Sequence, residues 1–258
     1  MNRITHLFQH KQSRILNIYF TAGHPHRDDT VEIIRALDQA GVDLIEVGIP
    51  YSDPLADGPT IQQSSQVALQ NGMTLSLLFE QIAEARRFSD TPLILMGYFN
   101  QMMQYGEESF IKTCKEVGVD GLILPDLPLY EYERSYKPLF EQYDLGISFL
   151  LTPQTDEQRI RKIDELSRGF IYMVSDASIT GAKQGISDKQ LAYFERIAAM
   201  QLRNPRLIGF GISNSETFQT ACQYANGAII GSAFIQALGQ RENTVAGATL
   251  NFVRQIRA

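Results

Sequence analysis

Asp43 to Thr60, DLIEVGIPYSDPLADGPT, starts as an apolar run and breaks into a loop dense in Gly, Pro and Asp. The run to Gly48 has the composition of a buried strand, and the loop has that of a turn-rich connection. Side chains alternate across a strand, so Leu44, Glu46 and Gly48 share one face and Ile45 and Val47 the other. Glu46 therefore points with Leu44 toward whatever that face encloses. An unpaired buried carboxylate is expensive, so this one requires a hidden partner or a chemical task. Asp57 follows in a loop stiffened by Pro54 and Pro59. Two carboxylates, one from a strand end and one from the loop after it, can converge on a small substrate as acid and base.

Outward from this stretch, short apolar segments alternate with amphipathic ones. An N-terminal helix is expected over Asn2 to Lys11. Strands are expected at Ile15 to Phe20, Asp43 to Gly48, Leu93 to Tyr98, Gly121 to Leu124, Ile147 to Leu151, Phe170 to Val174, Leu207 to Phe210 and Ala228 to Ile230. Helices fall between them at Asp28 to Ala40, Thr74 to Phe88, Glu107 to Val117, Glu131 to Tyr143, Asp156 to Leu166 and Asp188 to Leu202, with another opened by Ser213 to Glu216 and a last one over Val245 to Ile256. Extra short helices are expected after strand two (Ile61 to Gln70) and after strand eight (Ala233 to Leu238). Eight strand-helix units at a period of about 25 to 30 residues predict an α/β fold of the (β/α)8 TIM barrel type. A doubly wound sheet would show the same alternation over a shorter stretch. No linker rich in Ser, Gly or Pro divides residues 1–258, so a single barrel domain is expected.

The 258 residues carry a formal charge of -6 without a basic block, which gives no electrostatic case for nucleic acid. Cys114 and Cys222 fall in helical segments with no CxxC and no neighbouring His, arguing against a disulfide or metal site and for a reducing, cytoplasmic setting. The N-terminus lacks a continuous apolar stretch, and no run is long enough for a bilayer, so no membrane association is expected. In a barrel, phosphate is held by the loops after strands seven and eight. Gly209-Phe-Gly-Ile-Ser213 and Gly231-Ser232-Ala233 stand there without Lys or Arg, leaving backbone amides and the Ser232 hydroxyl as donors.

The run Glu46-Val-Gly-Ile-Pro-Tyr-Ser-Asp-Pro-Leu-Ala-Asp-Gly-Pro59 resembles the signature of the tryptophan synthase alpha subunit family. The likeness continues through Ile123 to Pro128, Phe170 to Ser175 with Thr180-Gly181, Gly209 to Ser213 and Gly231-Ser232. The resemblance implies retro-aldol cleavage of indole-3-glycerol phosphate to indole and glyceraldehyde 3-phosphate. Glu46 and Asp57 match the catalytic carboxylates, and Tyr172 matches a residue bordering the substrate. Gly181, Gly211, Gly231 and Ser232 match the phosphate cradle, and Tyr19, Tyr98, Leu124 and Phe210 are expected around the indole. It further implies a beta subunit that carries pyridoxal phosphate, an α2β2 assembly with indole passed through an internal tunnel, and a contact with that partner through Asp53 and Pro54. No cofactor and no metal are expected in this chain. Departures are Asp176, where relatives carry Arg or a small residue, Tyr19 in place of Phe, and His24 in place of Asp. Two other readings are a self-sufficient lyase that releases free indole and a non-catalytic phosphate-binding barrel. Intact Glu46 and Asp57 weigh against the second.

Overall fold

The strand Ile15–Thr21 runs parallel to two neighbours at once. Leu44–Gly48 lies on one side with Tyr19 opposite Glu46, and Gly227–Ile230 lies on the other with Ile15 opposite Gly227. The first strand is thus paired with the last. From it the parallel order passes through Leu93–Met96, Gly121–Ile123 and Gly146–Ile147, and in the other direction through Arg206–Gly209, Ile171–Val174 and Leu150–Leu151. The two outermost segments are halves of one strand, the fifth. Between them the Ser148 N–H donates to Leu122 O at 3.1 Å and the Tyr172 N–H donates to Phe149 O at 3.0 Å, so the chain itself carries the ladder from the fourth strand to the sixth. In this computed structural model, which describes residues 2–54, 57–174, 186–209, 211–239 and 244–258, the architecture is a parallel (β/α)8 barrel.

The fifth strand is broken where the sequence predicts continuity. Ile147 exchanges backbone hydrogen bonds with Arg168 (3.0 and 2.9 Å), a partner outside the parallel ladder. Two further differences concern helices. A helix Phe99–Tyr105 follows the third strand where a loop is expected. The predicted helix Glu131 to Tyr143 forms as Leu129–Glu131, a π-helical turn Tyr132–Tyr136, and Lys137–Gln142, with Pro138 removing a donor at the last junction. The stretch Ser213 to Glu216 opens Ser215–Tyr224 as expected, with Asn214 as the cap, its side chain accepting from the Thr217 N–H at 2.9 Å.

Alternation sorts the strand residues into two apolar layers. Ile18, Phe20, Ile45, Val47 and Leu95 face the helices, packing with Ile33, Leu37, Leu78 and Ile82. Ile15, Tyr19, Leu44, Ile94, Ile123, Tyr172, Leu207 and Ile229 fill the barrel. The inner layer is sealed at the strand starts by the helix Arg3–His10, which buries Ile4 and Phe8 there. Asn2 fixes that helix, accepting from the Ile4 N–H at 2.9 Å and donating to Asp120 O at 2.7 Å and Asp144 O at 2.9 Å. Gly121 leaves the space that Ile4 occupies, since a Cβ there would lie 2.9 Å from Ile4 Cδ1. The buried Arg86–Asp120 pair at 2.6 Å braces the same end. Ile4→Ala should accordingly destabilise the protein by roughly 2–5 kcal/mol, read as a lower midpoint in urea unfolding. A loss below about 1 kcal/mol would make the N-terminal helix a peripheral addition rather than the barrel's floor.

Candidate active site

Glu46 projects into the barrel from the second strand and is 1% exposed. Its Oε2 accepts a hydrogen bond from Asn17 Nδ2 at 3.0 Å. Burial pushes its carboxyl up to about 8, opposed by the Asn17 hydrogen bond and reinforced by the charge of Asp57. Near neutral pH this is a carboxyl that holds its proton and can give it away.

Asp57 comes from the loop beyond. Gly58 is the N-cap of Pro59–Gln70 and Pro59 supplies the first helical residue, so the loop ends at a fixed point. Gln62 Nε2 donates to the Asp57 carbonyl at 2.8 Å. Burial raises the Asp57 side chain, opposed by a hydrogen bond from Tyr98 OH to Oδ2 at 3.2 Å. Tyr98 stacks on Tyr51 with ring centroids 5.0 Å apart. Tyr51 OH accepts from Asn100 Nδ2 at 3.0 Å, Gln101 Nε2 donates to Pro50 O at 2.9 Å, and the Phe99 N–H donates to Asp126 Oδ1 at 2.8 Å. The helix absent from the sequence expectation, Phe99–Tyr105, therefore ties together the loops after the second, third and fourth strands.

Tyr19 and Tyr172 close the interior around the carboxyls. Both are buried, and both rings need a glycine on the neighbouring strand: a Cβ on Gly48 would stand 2.6 Å from Tyr19 Cζ, and one on Gly209 would stand 2.6 Å from Tyr172 Cζ. Burial raises the Tyr19 hydroxyl well above its ordinary range, with Asp57 and Glu46 adding to the effect. Tyr172 is raised in the same way by burial, then by Glu46, Tyr19 and Asp57. Thr21 Oγ1, 3.5 Å from Tyr19 OH, lies 2.7 Å from Ser64 Oγ and so links this wall to the helix Pro59–Gln70.

Leu124 lies elsewhere than expected. It packs in the layer between strands and helices, while its neighbour Ile123 joins the interior with Tyr19 and Tyr172, as period-two alternation requires. Gly211 follows the seventh strand at φ +77°, a backbone conformation that favours glycine. Gly231 caps the short helix Ser232–Leu238 close to Tyr19, a Cβ there being 3.2 Å from Tyr19 Cδ1. That helix starts one residue before the expected Ala233. Asp53 is exposed and accepts from Ser52 Oγ at 2.5 Å, and Pro54 is half-buried. Gly181, Phe210 and Asp176 lie outside the described residues. Among the described residues no group of three His, Cys, Asp or Glu side chains is placed to hold a metal ion, and no helix is long and apolar enough to cross a membrane. Asn17 was not anticipated. Its signal was a polar residue at an inward position of an apolar strand, the same signal that singles out Glu46.

A family model described as tryptophan synthase alpha chain matches residues 6–257. The tryptophan synthase alpha chain of Flavobacterium johnsoniae is 56% identical over the full length of both chains, and that of Flavobacterium psychrophilum is 56% identical over 99% of this chain and 100% of its own. Among solved structures, a chain of the tryptophan synthase complex from Pyrococcus furiosus superposes with a TM-score of 0.87 at 33% identity, over 96% of this chain and 99% of that one.

The geometry of Glu46 fixes a pH dependence of stability. Its carboxyl binds its proton more tightly in the folded state (about 8) than in the unfolded chain (4.5), so stability falls as pH rises between these values and levels off above. Asp57 is raised too and works in the same direction. Glu46→Gln should therefore be more stable than the parent at about pH 8.5, by an amount on the order of a few kcal/mol, with the gain shrinking toward about pH 5. Urea unfolding at both pH values decides this. A gain that does not depend on pH would mean that the carboxyl is solvated.

Proposed function

This chain belongs to the tryptophan synthase alpha chain family and is an enzyme of that kind, and from that premise we propose that it cleaves indole-3-glycerol phosphate to indole and glyceraldehyde 3-phosphate. The observation that carries the reading is a buried, proton-holding Glu46 facing Asp57 inside one barrel mouth. The reaction is a retro-aldol. Glu46 gives its proton to indole C3 while Asp57 accepts the ring N–H proton, producing the indolenine. Glu46, now a carboxylate, takes the proton of the glycerol hydroxyl next to the bond. The C–C bond breaks, its electron pair returns to the ring, Asp57 gives the proton back to nitrogen, and the aldehyde leaves. Protons balance, and both carboxyls end as they began. Asp57 also stabilises positive charge developing at the ring nitrogen.

Tyr19, Tyr98 and Tyr172, together with Ile123, supply the apolar walls for the indole, and the family likeness adds Phe210. Gly181, Gly211, Gly231 and the Ser232 hydroxyl hold the phosphate. The partner is the beta subunit, in an α2β2 assembly in the cytoplasm where pyridoxal phosphate belongs to beta and indole passes between the subunits. Asp53 and Pro54 stand on the exposed part of the loop that bears Asp57 and form part of that contact.

Glu46→Gln keeps the size of the side chain and loses the proton. It should bind substrate and lose at least about 10²-fold in kcat. Asp57→Asn should lose less, because its amide oxygen still accepts the indole N–H hydrogen bond, and the double variant should lose less than the product of the two. Single-turnover kinetics at saturating substrate separate chemistry from release. Cleavage by Glu46→Gln within about threefold of the parent rate would make Glu46 a structural carboxyl and sink the mechanism.

The partner contact has its own test. Asp53→Ala should weaken association with a purified beta subunit in calorimetric titration, with activation of indole release reduced in step. Equal affinity and equal activation would remove Asp53 from the contact.

A further inference from the structure

Asn17 is fully buried on the inward face of the first strand, between Ile15 and Tyr19. An apolar residue would pack this position without penalty, whereas a primary amide brings two donors and an acceptor that must be satisfied or tolerated. Only part of that capacity is used. Nδ2 donates to Glu46 Oε2 at 3.0 Å, and Oδ1 is buried with no hydrogen-bond partner among the described residues. A buried carbonyl-type oxygen left unpaired is a cost that the fold has not relieved.

The carboxyl beside it has two sets of needs. As a carboxylate Glu46 only accepts hydrogen bonds; as an acid it must place an O–H on an acceptor. The groups that face it are Asn17 and Tyr19 from the first strand, Asp57 from the following loop and Tyr172 from the sixth strand. The side chain of an asparagine carries N–H at one end and C=O at the other, and half a turn about its last torsion exchanges them with almost no change of shape.

We propose that Asn17 is a positioning residue that keeps the Glu46 carboxyl in place through both of its protonation states, donating Nδ2–H to the carboxylate and, after turning, accepting the acid's O–H on Oδ1. The oxygen without a partner in one state is the acceptor of the other. This rests on the reading of Glu46 as the group that gives and takes the proton, because a carboxyl with one fixed protonation state needs only one end of the amide. Asn17 touches neither the indole nor the phosphate in this scheme. It holds the acid at the right place during the cycle.

The test uses the intact protein with ¹⁵N-labelled asparagine, the Asn17 NH₂ signals being assigned by their loss in Asn17→Asp. Expected is a shift of those signals that follows the titration of Glu46, seen independently by carboxyl ¹³C NMR, and that disappears in Glu46→Gln. Asn17→Leu, close in size and without polar atoms, takes a partner from both protonation states, so the Glu46 midpoint should rise only by the excess of the charge-assisted bond to the carboxylate over the bond from the acid. The same variant should lose about tenfold or more in kcat while KM changes less than about threefold. Asn17 signals that stay constant while Glu46 titrates would overturn the proposal without any variant needing to fold. So would a folded Asn17→Leu protein with kcat within about threefold of the parent. The NMR arms read the contact whether or not Glu46 is catalytic, so a failure of the retro-aldol mechanism would show separately, as an active Glu46→Gln.

Discussion

Keeping a carboxyl away from water is the constraint on which this barrel depends. In bulk solvent Glu46 would be ionised and unremarkable as an acid. Inside the barrel it is held nearer neutral pH because burial penalises its charge more than one amide hydrogen bond relieves it. That burial is not local. It requires the interior to be shut at the strand starts, where Ile4 and Phe8 enter beneath the inner layer, and roofed by the tyrosines near the strand ends. The floor built by the N-terminal helix and the acidity of a residue on the second strand are thus parts of one dry interior.

Two sets of strand glycines serve the two ends. Gly121 stands beside Ile4 at the floor, and Gly48 and Gly209 stand beside the Tyr19 and Tyr172 rings at the roof. In each case a bulky side chain fills the space that a neighbouring Cβ would have taken, and interior density is kept without widening the barrel. The buried Arg86–Asp120 pair braces the end remote from the carboxyls, so a buried charge pair and a buried single carboxyl are kept apart. A cation close to Glu46 would pull its carboxyl back toward the ordinary range and remove its value as an acid at neutral pH.

Periodicity carried most of the architecture, because short apolar strands and amphipathic helices are local patterns. The inward direction of Glu46 followed from counting by twos. Leu124 is expected at the indole from the family resemblance, where the same count puts Ile123 inward, and, left unused at Asn17, the count missed the partner of the acid. What the sequence could not display is set by distant partners. The break in the fifth strand depends on Arg168, some twenty residues on, capturing the Ile147 backbone. The helix Phe99–Tyr105 is short, bounded by Gly106, and tied to neighbouring loops by Gln101, Asn100 and an Asp126 acceptor rather than by a strong pattern of its own. The expected sites at Gly181 and Phe210 fall outside the described residues, and the proposal of a phosphate cradle is carried by the family likeness together with the positions of Gly211, Gly231 and Ser232.

The two carboxyls differ in what holds them, and this bears on control. Glu46 is fixed by the ladder itself, through its register with Tyr19 and its amide partner on the same first strand. Asp57 is fixed by loop contacts: Tyr98 on its carboxylate, Tyr51 stacked on Tyr98, and Gln101 bonded to Pro50. Asp53, exposed on the same loop, lies four residues before Asp57. The separation of the two carboxyls is therefore set from one side by the strand ladder and from the other by these loop contacts. Asp57 acts on Glu46 through its charge, and that repulsion weakens with distance. Displacement of the loop away from Glu46 lowers the tendency of Glu46 to hold its proton, and closure toward it raises that tendency. The acidity of Glu46 is in this way tied to the contacts that hold Asp57, those of Tyr98, Tyr51 and Gln101, as well as to its own strand.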